Sequence, residues 1–157
     1  MLVGYGWCVL RSSRDPYRGA TVTSVDAIDD SVDAADRQLW DDFRRWMASQ
    51  EEPFIKWALH EQNNNHRGVL IYCVSRNHRS SAVWDMLKWI ARNGSGSYGL
   101  LFVHDDEDLI DNHSYGRGNV DHSNVFRVHR IANGQLSEMS DPFFGPIVPN
   151  LNPSELA

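Results

Sequence analysis

Two segments of helical period interrupt a chain otherwise written in short strand-like runs, and that alternation limits the folds open to it. Val32, Ala35, Leu39, Phe43, Trp46 and Met47 recur at spacings of three and four, which predicts a helix from about Ser31 to near Gln50. Ser31 or Asp33 can cap its start, and Glu51-Glu52-Pro53 stops it. Asp36, Arg37, Asp41, Asp42, Arg44 and Arg45 fill the opposite positions and read as a solvated face. A second helix follows Ser80 or Ser81. Val83, Trp84, Leu87, Trp89, Ile90 and Ala91 give it a broad apolar face. It ends at Asn93-Gly94, two residues that tolerate a left-handed backbone.

The remaining runs favour a pleated surface. Gly4–Arg11 is one strand, and its continuous apolar character suggests burial. Phe54–His60 and Val69–Ser75, joined by the polar stretch Glu61–Gly68, form an antiparallel hairpin. Tyr98–His104 is a further strand. Phe126–Ile131 alternates as a half-solvated strand does, and Asn133-Gly134 turns it back into Gln135–Met139. A short edge strand is expected within Ala20–Val25. The order of strand, helix, two strands, helix and three strands predicts an α+β fold: a mostly antiparallel sheet with two helices packed on one face. The 157 residues suit a single domain with a sizeable core. Within it, residues 109–123 read as a long polar loop. Residues 141–157, which hold four of the six prolines, read as an extended tail packed through Phe143, Phe144, Ile147 and Val148.

Fifteen basic against twenty-one acidic residues leave a formal charge of −6, which argues against nucleic acid as a direct ligand and suits a basic protein partner. Cys8 and Cys73 sit in apolar strand-like runs and read as buried free thiols. No apolar run approaches the ~18 residues of a membrane span. Met1–Leu10 lacks a basic leader, so it does not read as a signal peptide, and a cytoplasmic protein is expected. Trp7, Trp57, Trp84 and Trp89 fall inside expected elements and read as core. Trp40 and Trp46, both on the first helix, cannot both face the core centrally, which leaves one at the helix edge as a candidate contact for a partner.

The sharpest change of character is at Tyr98–Asp108. A Gly-Ser-Gly-Ser turn enters an apolar strand that runs into His104 and four consecutive acids, Asp105, Asp106, Glu107 and Asp108. Three chemistries can be weighed there. His104, Asp105 and Asp106 with His78, His113 or His122 could build a His/carboxylate metal site, but neighbours on one strand point to opposite faces. No H-E-x-x-H or C-x-x-C is present. Paired carboxylates could perform acid/base work, which makes a metal- or carboxylate-dependent hydrolase using His104 and the adjacent acids the alternative function. Neither cysteine has a basic neighbour to activate it, there is no G-x-S-x-G, and the turn at Ser95 and Ser97 lacks the lysine of a phosphate-binding loop. The remaining reading is an acidic docking surface.

Several stretches carry a family resemblance. They are Gly6-Trp7 with Val9-Leu10-Arg11, Gly96–Leu101 running into His104–Asp108, Asn124–Val128, Asp141–Phe144 and Pro146–Pro149. Together they resemble the immunity protein 7 family of bacterial polymorphic toxin systems over about Gly6 to Pro149. Against that resemblance, the 109–123 loop reads as an insertion beyond the family's usual pattern. The resemblance implies an α+β protein, made alongside a secreted toxin domain, that binds this toxin and blocks it in the producing cell. It brings no cofactor, no metal and no catalytic residue. Partner contacts are then expected from Tyr98, His104, Asp105, Asp106, Glu107, Asp108 and Trp46. The acid cluster could enter a basic cleft of the toxin by mimicking phosphate charge.

Overall fold

The computed structural model describes residues 1–14, 25–62, 67–108 and 122–141. Eight elements follow in chain order: β1 (Leu2–Leu10), α1 (Val25–Ser49), β2 (Ile55–Gln62), β3 (Arg67–Arg76), α2 (Ala82–Asn93), β4 (Tyr98–Asp105), β5 (Arg127–Ala132) and β6 (Gln135–Ser140). The six strands form one sheet in the order β2-β3-β1-β4-β5-β6, and every pair is antiparallel. This is the expected α+β architecture. The first strand of the chain is central, between β3 and β4.

One face of the sheet carries the core. Cys8 and Leu10 of β1, Leu70, Tyr72 and Val74 of β3, Leu101 and Val103 of β4, and Ile131 of β5 are buried there. They pack in one cluster with Leu39, Trp40, Phe43 and Met47 of α1 and with Val83, Met86, Leu87 and Ile90 of α2. Side chains alternate along a strand, so burying these positions turns the intervening ones to the opposite face.

Two glycines let the layers close. A Cβ on Gly6 would strike the Leu100 carbonyl and lie 2.7 Å from the Tyr72 ring. Without it, Tyr72 crosses β1 from β3 and its hydroxyl donates to the Leu100 carbonyl at 3.0 Å. A Cβ on Gly68 would lie 2.6 Å from the Trp40 indole, whose Nε1–H reaches the Leu10 carbonyl at 3.1 Å.

Several expectations need correction. α1 begins at Val25, so Ser31 and Asp33 lie inside it and cap nothing. No glycine or proline stands between Val25 and Ser31 to stop the helix, and Val25, Ile28 and Val32 continue its period upstream. Val25 is therefore helical; the rest of the expected edge strand lies outside the described residues. Asp36 is 1% exposed and does not belong to the solvated face. It falls on the stripe formed by Leu39, Trp40, Phe43 and Met47, and its carboxylate accepts the Ser12 amide at 2.6 Å and the Ser12 hydroxyl at 2.7 Å. Gly94 ends α2 at φ −120° rather than in the left-handed region. Space, not handedness, selects glycine there, since a Cβ would lie 2.9 Å from both the Arg11 carbonyl and Leu39. Asn133 and Gly134 do take left-handed angles, φ 58° and 68°, as a tight hairpin requires.

Trp7 is 40% exposed instead of core, while Trp57, Trp84 and Trp89 are partly buried against the core cluster. Trp40 is the buried member of the α1 pair, and Trp46 is half-buried and stacks on Trp89 at 5.7 Å. Cys8 is buried, but Cys73 is exposed because the register places the two on opposite faces of the sheet. The tail expected over 141–157 lies outside the described residues except for Asp141, whose amide bonds the Phe126 carbonyl at 2.9 Å.

Candidate functional site: an acidic turn and an uncovered sheet face

The acidic run forms the turn that leaves β4, and its four members have different surroundings. Asp105 is the last strand residue and points to the core face, 6% exposed. One of its oxygens accepts the Glu107 amide at 3.1 Å, and the other is buried without a hydrogen-bond partner. Burial pushes its carboxyl above the ordinary value, against the opposing pull of the Glu107 amide. Asp108 is 3% exposed. Its amide bonds the Asp105 carbonyl at 3.1 Å, and its carbonyl accepts the His122 amide at 2.9 Å. Asp106 is exposed and pairs with the amino group of Met1. Glu107 accepts from His78 Nδ1 at 2.8 Å and from the Arg79 amide at 3.1 Å, and the His78 contact foremost lowers its carboxyl from the ordinary value.

The turn therefore ties together the start of β1, the segment between β3 and α2, and the segment before β5. Asp106 and Glu107 are the carboxylates that reach solvent, with side chains 51% and 36% exposed. His104 stands on the other face of β4, as alternation demands. Its Nε2 is 2.7 Å from the Ser123 carbonyl, so that nitrogen carries the proton, and its ring is 5.7 Å from Phe126. Among the described residues no three His, Cys, Asp or Glu side chains are grouped closely enough to hold a metal ion; His113 lies outside them. Trp46 is not brought near this turn. It belongs to the helix layer, while Tyr98 and His104 belong to the opposite face.

Beside the expected Tyr98, that opposite face holds residues the sequence reading missed. Tyr5 is 49% exposed, Trp7 40%, Ile71 52% and Tyr98 40%. All four occupy outward positions of adjacent strands, because Tyr5 pairs with Phe102, Trp7 with Ile71 and Leu100, and Val9 with Tyr98. Trp7 meets Tyr98 edge-on at 6.2 Å, and Tyr5 stacks on Phe102 at 5.3 Å. Tyr5, Ile71, Cys73, Lys56 and Ala58 border a shallow apolar groove of about 400 Å³. The signal for this face was present: β1 and β3 are apolar at odd as well as even positions. Both helices pack on the core face, so the second apolar set is left without them.

Contiguous Trp, Tyr and Ile side chains at a surface have the composition that recognition surfaces use. The family comparison bears on which kind. A family model described as immunity protein 7 matches residues 1–153. The chain belongs to the immunity protein 7 family. No curated protein and no solved structure matches it. Membership makes the chain an immunity protein and implies a cognate toxin protein as its partner, a role in binding rather than turnover. Among the described residues no helix is long and apolar enough to cross a membrane.

Proposed function

We propose that this immunity protein binds the toxin domain of a bacterial polymorphic toxin system and neutralises it in the cytoplasm of the cell that makes both. The observation that carries this reading is the family match over residues 1–153. An aromatic sheet face exposed on the same domain supports it, because such a face suits protein recognition. The protein acts as a stoichiometric ligand. It needs no cofactor, and it does not touch nucleic acid directly. Of the acid cluster, Asp106 and Glu107 are the members that meet solvent and can approach a basic group of the toxin. Asp105 and Asp108 shape the turn that presents them.

Co-expression tests the reading. The toxin domain encoded beside this chain arrests growth when induced alone. Induction together with the chain restores growth, and the two proteins co-purify at equal stoichiometry. Growth arrest that persists at full expression of the folded chain would refute the proposal.

A further inference from the structure

Every Asp and Glu of the six strands is absent from one face of the sheet. The outward positions of β1 are Val3, Tyr5, Trp7 and Val9, and the register carries the same face through Ile71 and Cys73 of β3 to Lys56 of β2. On the other side it passes through Tyr98, Leu100, Phe102 and His104 of β4 to Arg130 of β5. The fixed charges on the described part of this face are the exposed cations Lys56 and Arg130. Strand carboxylates point the other way: Glu61 pairs with Arg44 of α1, and Glu138 pairs with Arg127. A chain with twenty-one acids against fifteen bases has thus kept acid off its most apolar surface.

From this we infer that the outer sheet face is the toxin-docking surface, and that the toxin meets it with an apolar patch bordered by carboxylates. The inference rests on the neutralisation reading above and gives that partner its surface chemistry. Size supports it. Strands ~4.8 Å apart and rising ~3.3 Å per residue give six strands of this length a face of roughly 600 Å², near the ~800 Å² that each partner contributes to a standard interface. Composition supports it too. Trp and Tyr dominate binding hot spots, and the Trp7–Tyr98 and Tyr5–Phe102 contacts hold these rings in place before any partner arrives. The groove beside Tyr5 and Ile71 is wide enough to take an apolar side chain, with Lys56 at its border. Lys56 and Arg130 flank the rings from opposite sides, so carboxylates around the partner's patch find a cation at either border. The acidic turn lies at the end of β4 and contributes at the margin.

Titration calorimetry and stopped-flow association of the full chain with the toxin domain encoded beside its gene test this. Lys56→Glu with Arg130→Glu is expected to weaken binding about tenfold or more, mainly through slower association, and to remove much of its salt sensitivity. Trp7→Ala is expected to weaken binding at least ~30-fold through faster dissociation. Lys88→Glu, a charge reversal on the exposed side of α2, is expected to stay within about threefold of the parent. Urea midpoints show whether each variant is folded, and the charge variants, being at exposed positions, keep the test valid if Trp7→Ala is not. Wild-type affinity in the Lys56→Glu, Arg130→Glu variant overturns the inference while leaving neutralisation intact. So does loss of binding in Lys88→Glu alone. A parent chain that is a dimer, dissociated by Trp7→Ala, assigns the face to a second copy and also overturns it. A toxin domain that does not bind the folded parent at all overturns both readings.

Discussion

Replacing Asp36 by Ala should be among the most damaging single changes in this protein. Asp36 is 1% exposed. A single carboxylate oxygen accepts both the Ser12 amide at 2.6 Å and the Ser12 hydroxyl at 2.7 Å, and Arg11 Nε stands 3.4 Å from the other oxygen. These contacts fix the chain leaving β1 against the middle of α1. A hydrogen bond to a charged acceptor contributes about 1.5–3 kcal/mol, and a donor left buried without its acceptor costs ~1–3 kcal/mol. Alanine removes the acceptor of two bonds and the counter-charge of Arg11. Water can reach part of the vacated site, so the expected loss is about 3 kcal/mol. At ~2–4 °C per kcal/mol for a chain of this size, Tm should fall by roughly 10 °C. Asn keeps an oxygen acceptor and loses the charge, for an expected loss of about 1 kcal/mol. Urea unfolding followed by tryptophan fluorescence reads both, as a lower midpoint with an unchanged slope. The reasoning fails if Asp36→Ala costs less than about 1 kcal/mol. It also fails if Asn is as harmful as Ala, because the retained acceptor would then count for nothing.

Other perturbations have equally direct readouts. Gly6→Ala places a methyl against the Leu100 carbonyl and the Tyr72 ring and should cost ~3 kcal/mol or more in urea unfolding; Tyr72→Phe, which loses only the bond to Leu100, should cost about 1 kcal/mol. Burial raises the Asp105 carboxyl above its ordinary value of 3.8, so the folded state holds that proton more tightly than the unfolded chain does. Asp105 therefore lowers stability progressively as pH rises from about that value, and Asp105→Asn should gain on the parent over the same rise when midpoints are compared between pH 3 and pH 7. With native protein, a thiol reagent should modify the exposed Cys73 and leave Cys8, which is buried and has its thiol pushed up to about 12; Cys8 should react only on unfolding, as counted by mass spectrometry.

Much of the fold was legible because its signals are local. The helical period of Leu39, Phe43 and Met47, the apolar run of β3 and the Asn133-Gly134 turn each specify an element within a few residues. Pairing of neighbours in sequence, β2 with β3 and β5 with β6, follows from short connections. What was not legible depends on partners distant in sequence. Asp36 looks like any helix-face acid until Ser12 is found against it. Gly6 looks like a loose strand residue until Tyr72 passes over it. The candidate site shows the same division. Tyr98 and His104 were placed on a strand correctly, and alternation alone set His104 and Asp105 on opposite faces. The burial of Asp105 and Asp108 was not foreseeable, since a run of four acids reads as solvated unless tertiary contacts claim some of them. Trp7 was assigned to the core because an apolar run looks the same whether one or both of its faces are covered.

The central place of β1 has a consequence for how the protein is made. The ribosome delivers this strand before the other five of the sheet, yet both of its hydrogen-bonding edges belong to β3 and β4. At ~5–20 residues per second, Tyr5, Trp7 and Cys8 wait several seconds for β3 and longer for β4, with neither edge of the strand satisfied. Until then β1 is an aromatic strand with both edges unpaired, a form open to capture by chaperones or by neighbouring chains. A cell making this chain must bring it through that interval before the sheet can close around the strand.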